Sequence, residues 1–242
     1  EPGMSGMSIV TYDRHIELDI KTKEPFDRIW AFHHREAPLL TVPDSLSDGI
    51  CCPALDNDEM TLIPLSRPAE QIRLCASVAD SSFAHSAFYG FSLENGRSGV
   101  LYHSFGINGN TYAAINRNPQ IVRQASGLCP DLVIVSLGTN DSYGASFDPA
   151  DADVQITRLI DSIRRNMPAS VLLLTTPMEH CRRIRSKGRT YRKPNPNACA
   201  MRECILRQAA LYRLPVWDFY AAAGGDGAMG RWADLGIANA DR

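Results

Sequence analysis

Residues Gly138 to Asp141 read Gly-Thr-Asn-Asp and follow the apolar run Leu132 to Leu137. A glycine at that point lets a buried strand turn sharply at its carboxyl end, which is where open α/β sheets place ligands. An Asn140 amide held there can donate a hydrogen bond to an oxygen that becomes negative in a transition state. The same residues also fit an Asx turn without chemistry. Earlier in the chain, Gly106 to Thr111 read Gly-Ile-Asn-Gly-Asn-Thr, again after an apolar run and ahead of a helical stretch. Such a turn presents backbone N–H groups to an anion, and Asn110 or Thr111 can cap the helix that follows. Two turns of this kind on successive strand ends of one sheet converge on the same edge.

The elements that would position these turns follow from the hydrophobic period, which changes once. Up to about Asn95 the chain reads as short, partly alternating strands: MSIVTY, HIELDI, FDRIWAF, PLLTV, MTLIPL, EQIRLCASV and AFYGFSLE. Asp, Gly, Pro and Asn separate them, as in an antiparallel β-sandwich. From Gly99 onward, buried-type strands (GVLYHSFGI, DLVIVSLG, SVLLLTT, LPVWDF) alternate with helical stretches (TYAAINRNPQIVRQAS, Ala152–Arg165, Asn197–Leu211). That rhythm implies a parallel sheet covered by helices. Within Ala152–Arg165, Ile156, Leu159, Ile160 and Ile163 make one apolar helical face. The expected organisation is a β-sandwich accessory domain over residues 1–97 and an α/β domain over 98–242. Trp217, inside LPVWDF, is expected in the core.

Composition limits the alternatives. The chain has 242 residues and a net charge of −2, so no global field gathers nucleic acid or an anionic membrane. No apolar run is long enough for a membrane span, and the first residues lack the pattern of an export signal. Seven cysteines, an odd number without zinc spacing, read as reduced or buried thiols. The glycine-rich AAAGGDGAMG lacks the Lys-Ser/Thr of a phosphate loop and reads as a turn. Arg182, Arg183, Arg185, Lys187, Arg189, Arg192 and Lys193 crowd one Pro- and Gly-punctuated stretch, expected as a solvated loop. If it binds anything, an anionic glycan suits the bidentate pairing of Arg with carboxylates, and no aromatic platform for nucleic acid accompanies it.

At GTND and GINGNT the chain resembles the SGNH (GDSL-type) hydrolase superfamily, and from Phe88 onward its peptidoglycan O-acetylesterase-like branch, in which a β domain is inserted. The resemblance implies an α/β fold: an incomplete three-layer SGNH-type parallel-sheet domain, preceded by a carbohydrate-binding-like β domain. It implies an esterase without cofactor or metal whose partner is an acetylated glycan or peptidoglycan, exported to the periplasm or beyond. Gly109 then matches the oxyanion-hole glycine, Asn140 the oxyanion-binding asparagine, and Asp241 the aspartate of the closing Asp-x-x-His block. The Asp-Ser-Leu at Asp44 to Leu46 spells part of the nucleophile block, but Pro43 stands where glycine is required. Gly49 and Pro53 follow where a helix should begin, so Ser45 reads as a loop residue. None of the six histidines takes the catalytic place; His103 and His180 read as structural groups at the edge of a cleft. The expectation is therefore an esterase fragment cut at both ends, its serine and histidine lying beyond the chain. A noncatalytic glycan-binding protein on a degenerate SGNH scaffold is the other reading.

Overall fold

Alternating apolar residues make two long strands where four short ones were expected. In the computed structural model, which describes residues 3, 6–42, 46, 52–53, 59–79, 83–186 and 188–238, HIELDI and FDRIWAF join into β2 (His15–His33). MTLIPL and EQIRLCASV likewise join into β4 (Met60–Ser77). With β1 (Ile9–Thr11), β3 (Cys52–Pro53) and β5 (Ser86–Glu94) they form an antiparallel sheet in the order β1-β5-β2-β4-β3. Pairing of β2 with β4 shifts register between Lys21 and Arg28. Pro25 lies in that interval, where an interrupted ladder tolerates a residue that has no N–H.

The sheet bends at this irregularity, and chain length requires it. Thr41 exchanges two 2.8 Å backbone hydrogen bonds with Cys75, and Cys75 pairs with Glu17. From His33 to Thr41 the chain reaches at most about 29 Å. Straight strand from Glu17 to His33 would run about 53 Å, and two strand spacings of about 5 Å do not close the gap. The two halves of β2 and β4 therefore turn toward each other like the layers of a sandwich. Their inward residues, among them Ile16, Phe26, Ile29, Ile63, Ile72 and Leu74, share one buried core. PLLTV is not a strand; within it only Thr41 forms a bridge, to Cys75.

The chain divides into two compact units, residues 1–107 with 120–128, and residues 108–119 with 129–242. The helical stretch after the GINGNT turn breaks at Pro119 into α1 (Tyr112–Arg117) and α2 (Gln120–Ser126). Proline cannot continue the hydrogen-bond ladder. α2 belongs to the first unit. Its Arg123 donates to both oxygens of the buried Glu59 carboxylate at 2.6 Å, and Gly127 sits so close to Met60 that a Cβ would lie 2.3 Å from the Met60 sulfur.

In the second unit, β6 (Leu132–Ser136), β7 (Val171–Thr175) and β10 (Val216–Trp217) form a parallel sheet in the order β10-β7-β6. The intervening elements are α3 (Thr139–Tyr143), α4 (Pro149–Asn166), a hairpin of β8 (Cys181–Ser186) and β9 (Arg189–Pro194), and α5 (Asn197–Tyr212). Two short helices, α6 (Phe219–Ala222) and α7 (Ala228–Asp234), follow β10. α4 starts three residues before the expected Ala152, because Asp148 caps it by accepting from the Ala150 N–H and Pro149 occupies the first turn; the expected face of Ile156, Leu159, Ile160 and Ile163 is buried.

Alternation along the strands separates two unlike faces. Val135, Leu172 and Leu174 are buried on the side where α5 packs against β7 and α4 against α5. Leu132, Ile134, Val171 and Trp217 lie on the opposite face, which no element covers among the described residues: Ile134 is 48% exposed and Trp217 55%. The expectation of a core Trp217 is thereby corrected. GVLYHSFGI is corrected too: it joins no strand, and Val100 is 94% exposed. A buried parallel strand needs neighbours at its edge and cover on both faces. The basic stretch, expected as a loop, is instead the β8–β9 hairpin.

Among the described residues, no helix is long and apolar enough to cross a membrane, and no group of His, Cys, Asp and Glu is placed to hold a metal ion. Of the described cysteines, Cys204 is buried and Cys129 exposed.

Candidate active site

The turn after β6 requires glycine for two reasons. Gly138 has φ +112°, and a Cβ there would sit 3.1 to 3.4 Å from Met201, Pro177 and Ile205. α3 starts at the next residue, and the Ser142 hydroxyl donates to the Gly138 carbonyl at 2.7 Å, which tightens the turn. Asn140 emerges exposed at the carboxyl end of the sheet. Its Nδ2 donates to the Asn110 carbonyl at 3.0 Å. Next to it, the Asp141 carboxylate accepts the Tyr112 backbone N–H at 2.9 Å, satisfying a donor in the first turn of α1. Thr111 caps the same helix by accepting from the Ala114 N–H at 3.0 Å. The GINGNT and GTND turns are thus stitched together by side chains of the second turn. Gly109, at φ +79°, is exposed, with nothing within 4 Å of where a Cβ would be, so the space over its backbone is open.

Asp141 carries an electrostatic cost. Burial raises its pKa above the ordinary carboxylate value of 3.8, and the backbone N–H groups facing it offset this in part. A raised folded-state pKa means that protonation favours the folded form. Stability therefore falls as pH rises from the unfolded value through the raised one, and is level above it. Asp141→Asn, which can still accept the Tyr112 N–H, removes this dependence. Urea unfolding of both proteins between about pH 4 and pH 7 is expected to show the variant gaining on the wild type as pH rises. A difference that does not change with pH would mean that Asp141 is solvated like an ordinary carboxylate.

Two turns joined at the carboxyl end of a parallel sheet coincide with a sequence-wide match. The profile of the GDSL-like lipase/acylhydrolase family covers residues 78–237, more than half of the chain. The chain belongs to this family. Its fold is that of a solved structure described as a peptidoglycan O-acetylesterase in action, with a TM-score of 0.68 at 17% identity. That comparison covers 100% of this chain and 66% of the other, so the chain spans just under two thirds of that structure's length. Two further similarities are weaker. A lipase/acylhydrolase from Enterococcus faecalis has a TM-score of 0.37 at 22% identity, over 50% of this chain and 57% of that one. An active-site mutant of a family two carbohydrate esterase from Clostridium thermocellum has a TM-score of 0.31 at 14% identity, over 92% of this chain and 82% of that one. No curated protein sequence matches significantly.

Within this member of the GDSL-like family, Asn140 meets Asn110, the residue after Gly109, while Asp241 and Ser45 lie outside the described residues. His180, the histidine of the second unit, is committed elsewhere. Its Nε2 lies 3.2 Å from the Asn195 amide nitrogen, which can only donate, and burial pushes its pKa down, so the ring is neutral. His103, in the first unit, stacks on Phe105. One trio has the residue types of a catalytic triad: His15 lies 3.1 Å from Ser77 Oγ and 3.4 Å from Glu17 Oε1. It sits exposed on the antiparallel sheet, a cross-strand contact without the fixed donors that acyl transfer needs.

Three supporting groups escaped the sequence reading. Asn195 donates to the Ser142 carbonyl at 2.8 Å and so holds the end of α3. Arg202 grips Asp218 at 2.6 to 3.0 Å and, with the Thr176 hydroxyl, fixes the start of α6; the guanidinium holds the Asp218 carboxyl below its usual pKa. Glu179, only 4% exposed, accepts from the N–H groups of Gly227 and Met229 at 2.8 and 2.9 Å. The glycine-rich turn thus cradles an anion after all, but the anion is the chain's own carboxylate. Its unpaired N–H groups were the available signal.

Proposed function

We propose that the second unit forms the oxyanion-binding side of a serine ester hydrolase that removes O-acetyl groups from a glycan, peptidoglycan above all. The observation that carries this reading is the hydrogen bond from Asn140 Nδ2 to the Asn110 carbonyl. An amide nitrogen has two hydrogens. One is spent on Asn110, which fixes the plane of the amide, and the other remains to meet an oxyanion beside the open backbone of Gly109. Donors oriented before the reaction stabilise developing charge without reorganising. A serine attacks the ester carbonyl, its proton passes to a histidine, and the alcohol of the sugar leaves with that proton, forming an acyl-enzyme that water then hydrolyses. Asp241 is the carboxylate that orients this histidine. Residues 98–242 are assigned to the hydrolase and 1–97 to an accessory domain that meets the glycan, in a periplasmic or extracellular setting.

The shared fold with a peptidoglycan O-acetylesterase supports the substrate class. The test is release of acetate from O-acetylated peptidoglycan by the product of the complete reading frame, with de-O-acetylated polymer as the control. The 242-residue chain alone is expected to leave aryl acetates unhydrolysed, since neither a free histidine nor a partnered serine stands beside Asn140 among the described residues. Turnover by this chain that Ser45→Ala abolishes would overturn the reading of Ser45 as a loop residue. Glycan binding without acetate release from the complete product would favour a noncatalytic binding protein.

A further inference from the structure

The β8–β9 hairpin contains seven cations and no acidic residue between Cys181 and Pro194. Its register sets like charges directly opposite each other twice, Arg182 against Lys193 and Arg183 against Arg192. Such pairs repel, and a two-stranded hairpin has little stability of its own to offset them. Alternation places Arg183, Arg185 and Arg192 on one face, and all three are exposed. No carboxylate lies within ion-pair distance of these three among the described residues. Cross-strand neighbours stand about 5 Å apart and residues two apart on one strand about 7 Å. The three guanidinium groups therefore start close enough to grip neighbouring anionic groups of one ligand.

The base of the hairpin is fixed to the candidate active site. The Asn195 N–H donates to the His180 carbonyl at 2.9 Å, which closes the hairpin. The Asn195 amide holds the Ser142 carbonyl, the Asn197 amide holds the Gly144 carbonyl at 2.7 Å, and the Tyr143 ring stacks on His180 at 6.1 Å. These anchors lie at the end of α3, the helix that carries Asn140.

We propose that the hairpin is an anion-binding arm of the hydrolase site that grips carboxylates of the glycan strand bearing the ester. This inference rests on the O-acetyl glycan reading above. Arg pairs bidentately with carboxylates, which gives the arm orientation as well as attraction. Nucleic acid is the poorer fit: the described residues of the exposed face include no aromatic ring to stack a base, and the chain as a whole carries a charge of −2.

Binding, read apart from hydrolysis, tests the arm. The 242-residue chain is titrated with solubilised peptidoglycan strands, with the same strands after their carboxylates are converted to amides, and with a single-stranded DNA oligonucleotide. Wild type is expected to prefer the carboxylated strands by about tenfold or more, with the preference weakening as salt rises. The triple variant R183Q/R185Q/R192Q is expected to lose that preference, while Arg158→Gln, an exposed charge on α4, keeps it. The single variant Arg192→Glu gives the same direction if the triple variant folds poorly. Equal preference in wild type and variants overturns the proposal, as does tighter DNA binding lost with the same arginines. Failure of the esterase reading is separate: acetate release would be absent while carboxylate-dependent binding persists.

Discussion

If Asn140 binds the oxyanion as proposed, Asn140→Ala in the full-length protein is expected to lower kcat by about a hundred- to a thousand-fold and to leave KM nearly unchanged. The ground-state ester carbonyl carries little charge, so the second Asn140 hydrogen contributes little to substrate binding. In the transition state the same oxygen is close to anionic, and the loss appears in kcat. The variant also removes the hydrogen bond to the Asn110 carbonyl. If that bond served only to shape the loop, substrate binding and thermal stability would suffer while kcat stayed within a few-fold, roughly the effect of one neutral hydrogen bond. Asn140→Asp sharpens the distinction, because its carboxylate has the same shape but repels an oxyanion, and kcat is expected to fall at least as far. An unchanged kcat in a folded Asn140→Ala variant would leave Asn140 as a turn residue.

Two residues on neighbouring strands of the parallel sheet are expected to differ widely when cut to alanine. Leu174→Ala costs about 2 to 5 kcal/mol, the range for a leucine removed from a packed core. Ile134→Ala costs less than about 1 kcal/mol. The reason is the face each side chain occupies. Leu174 is fully buried on the helix-covered side, whereas Ile134 is 48% exposed on the side without cover. Urea unfolding of the 242-residue chain measures both. Equal costs would mean that the bare face is covered in solution. A row of apolar residues (Leu132, Ile134, Val171) left half exposed on a parallel sheet is unusual, because such sheets bury both faces.

Local patterns were readable where their cause is local. The apolar face of α4 lies within a few turns of one helix, and the structure forms it as the spacing implies. Gly138 and the Thr111 cap were readable for the same reason: a positive φ or a capped N–H is met by adjacent residues. The antiparallel character of the first unit and the parallel sheet of the second also followed from period and order. Other features depend on partners far away in the chain. GVLYHSFGI has the composition of a buried strand, yet a strand exists only through its neighbours, and no strand pairs with it. Trp217 has an apolar setting in sequence, but whether helices cover its side of the sheet is not written in LPVWDF. The opposed arginines of the hairpin depend on register, which only the pairing of Cys181 with Pro194 sets. In the same way, composition marks Asn110 and Asn140 as turn residues. That the amide of one meets the carbonyl of the other is decided by the tertiary fold, because hydrogen bonds between distant segments form only where packing brings their ends within reach.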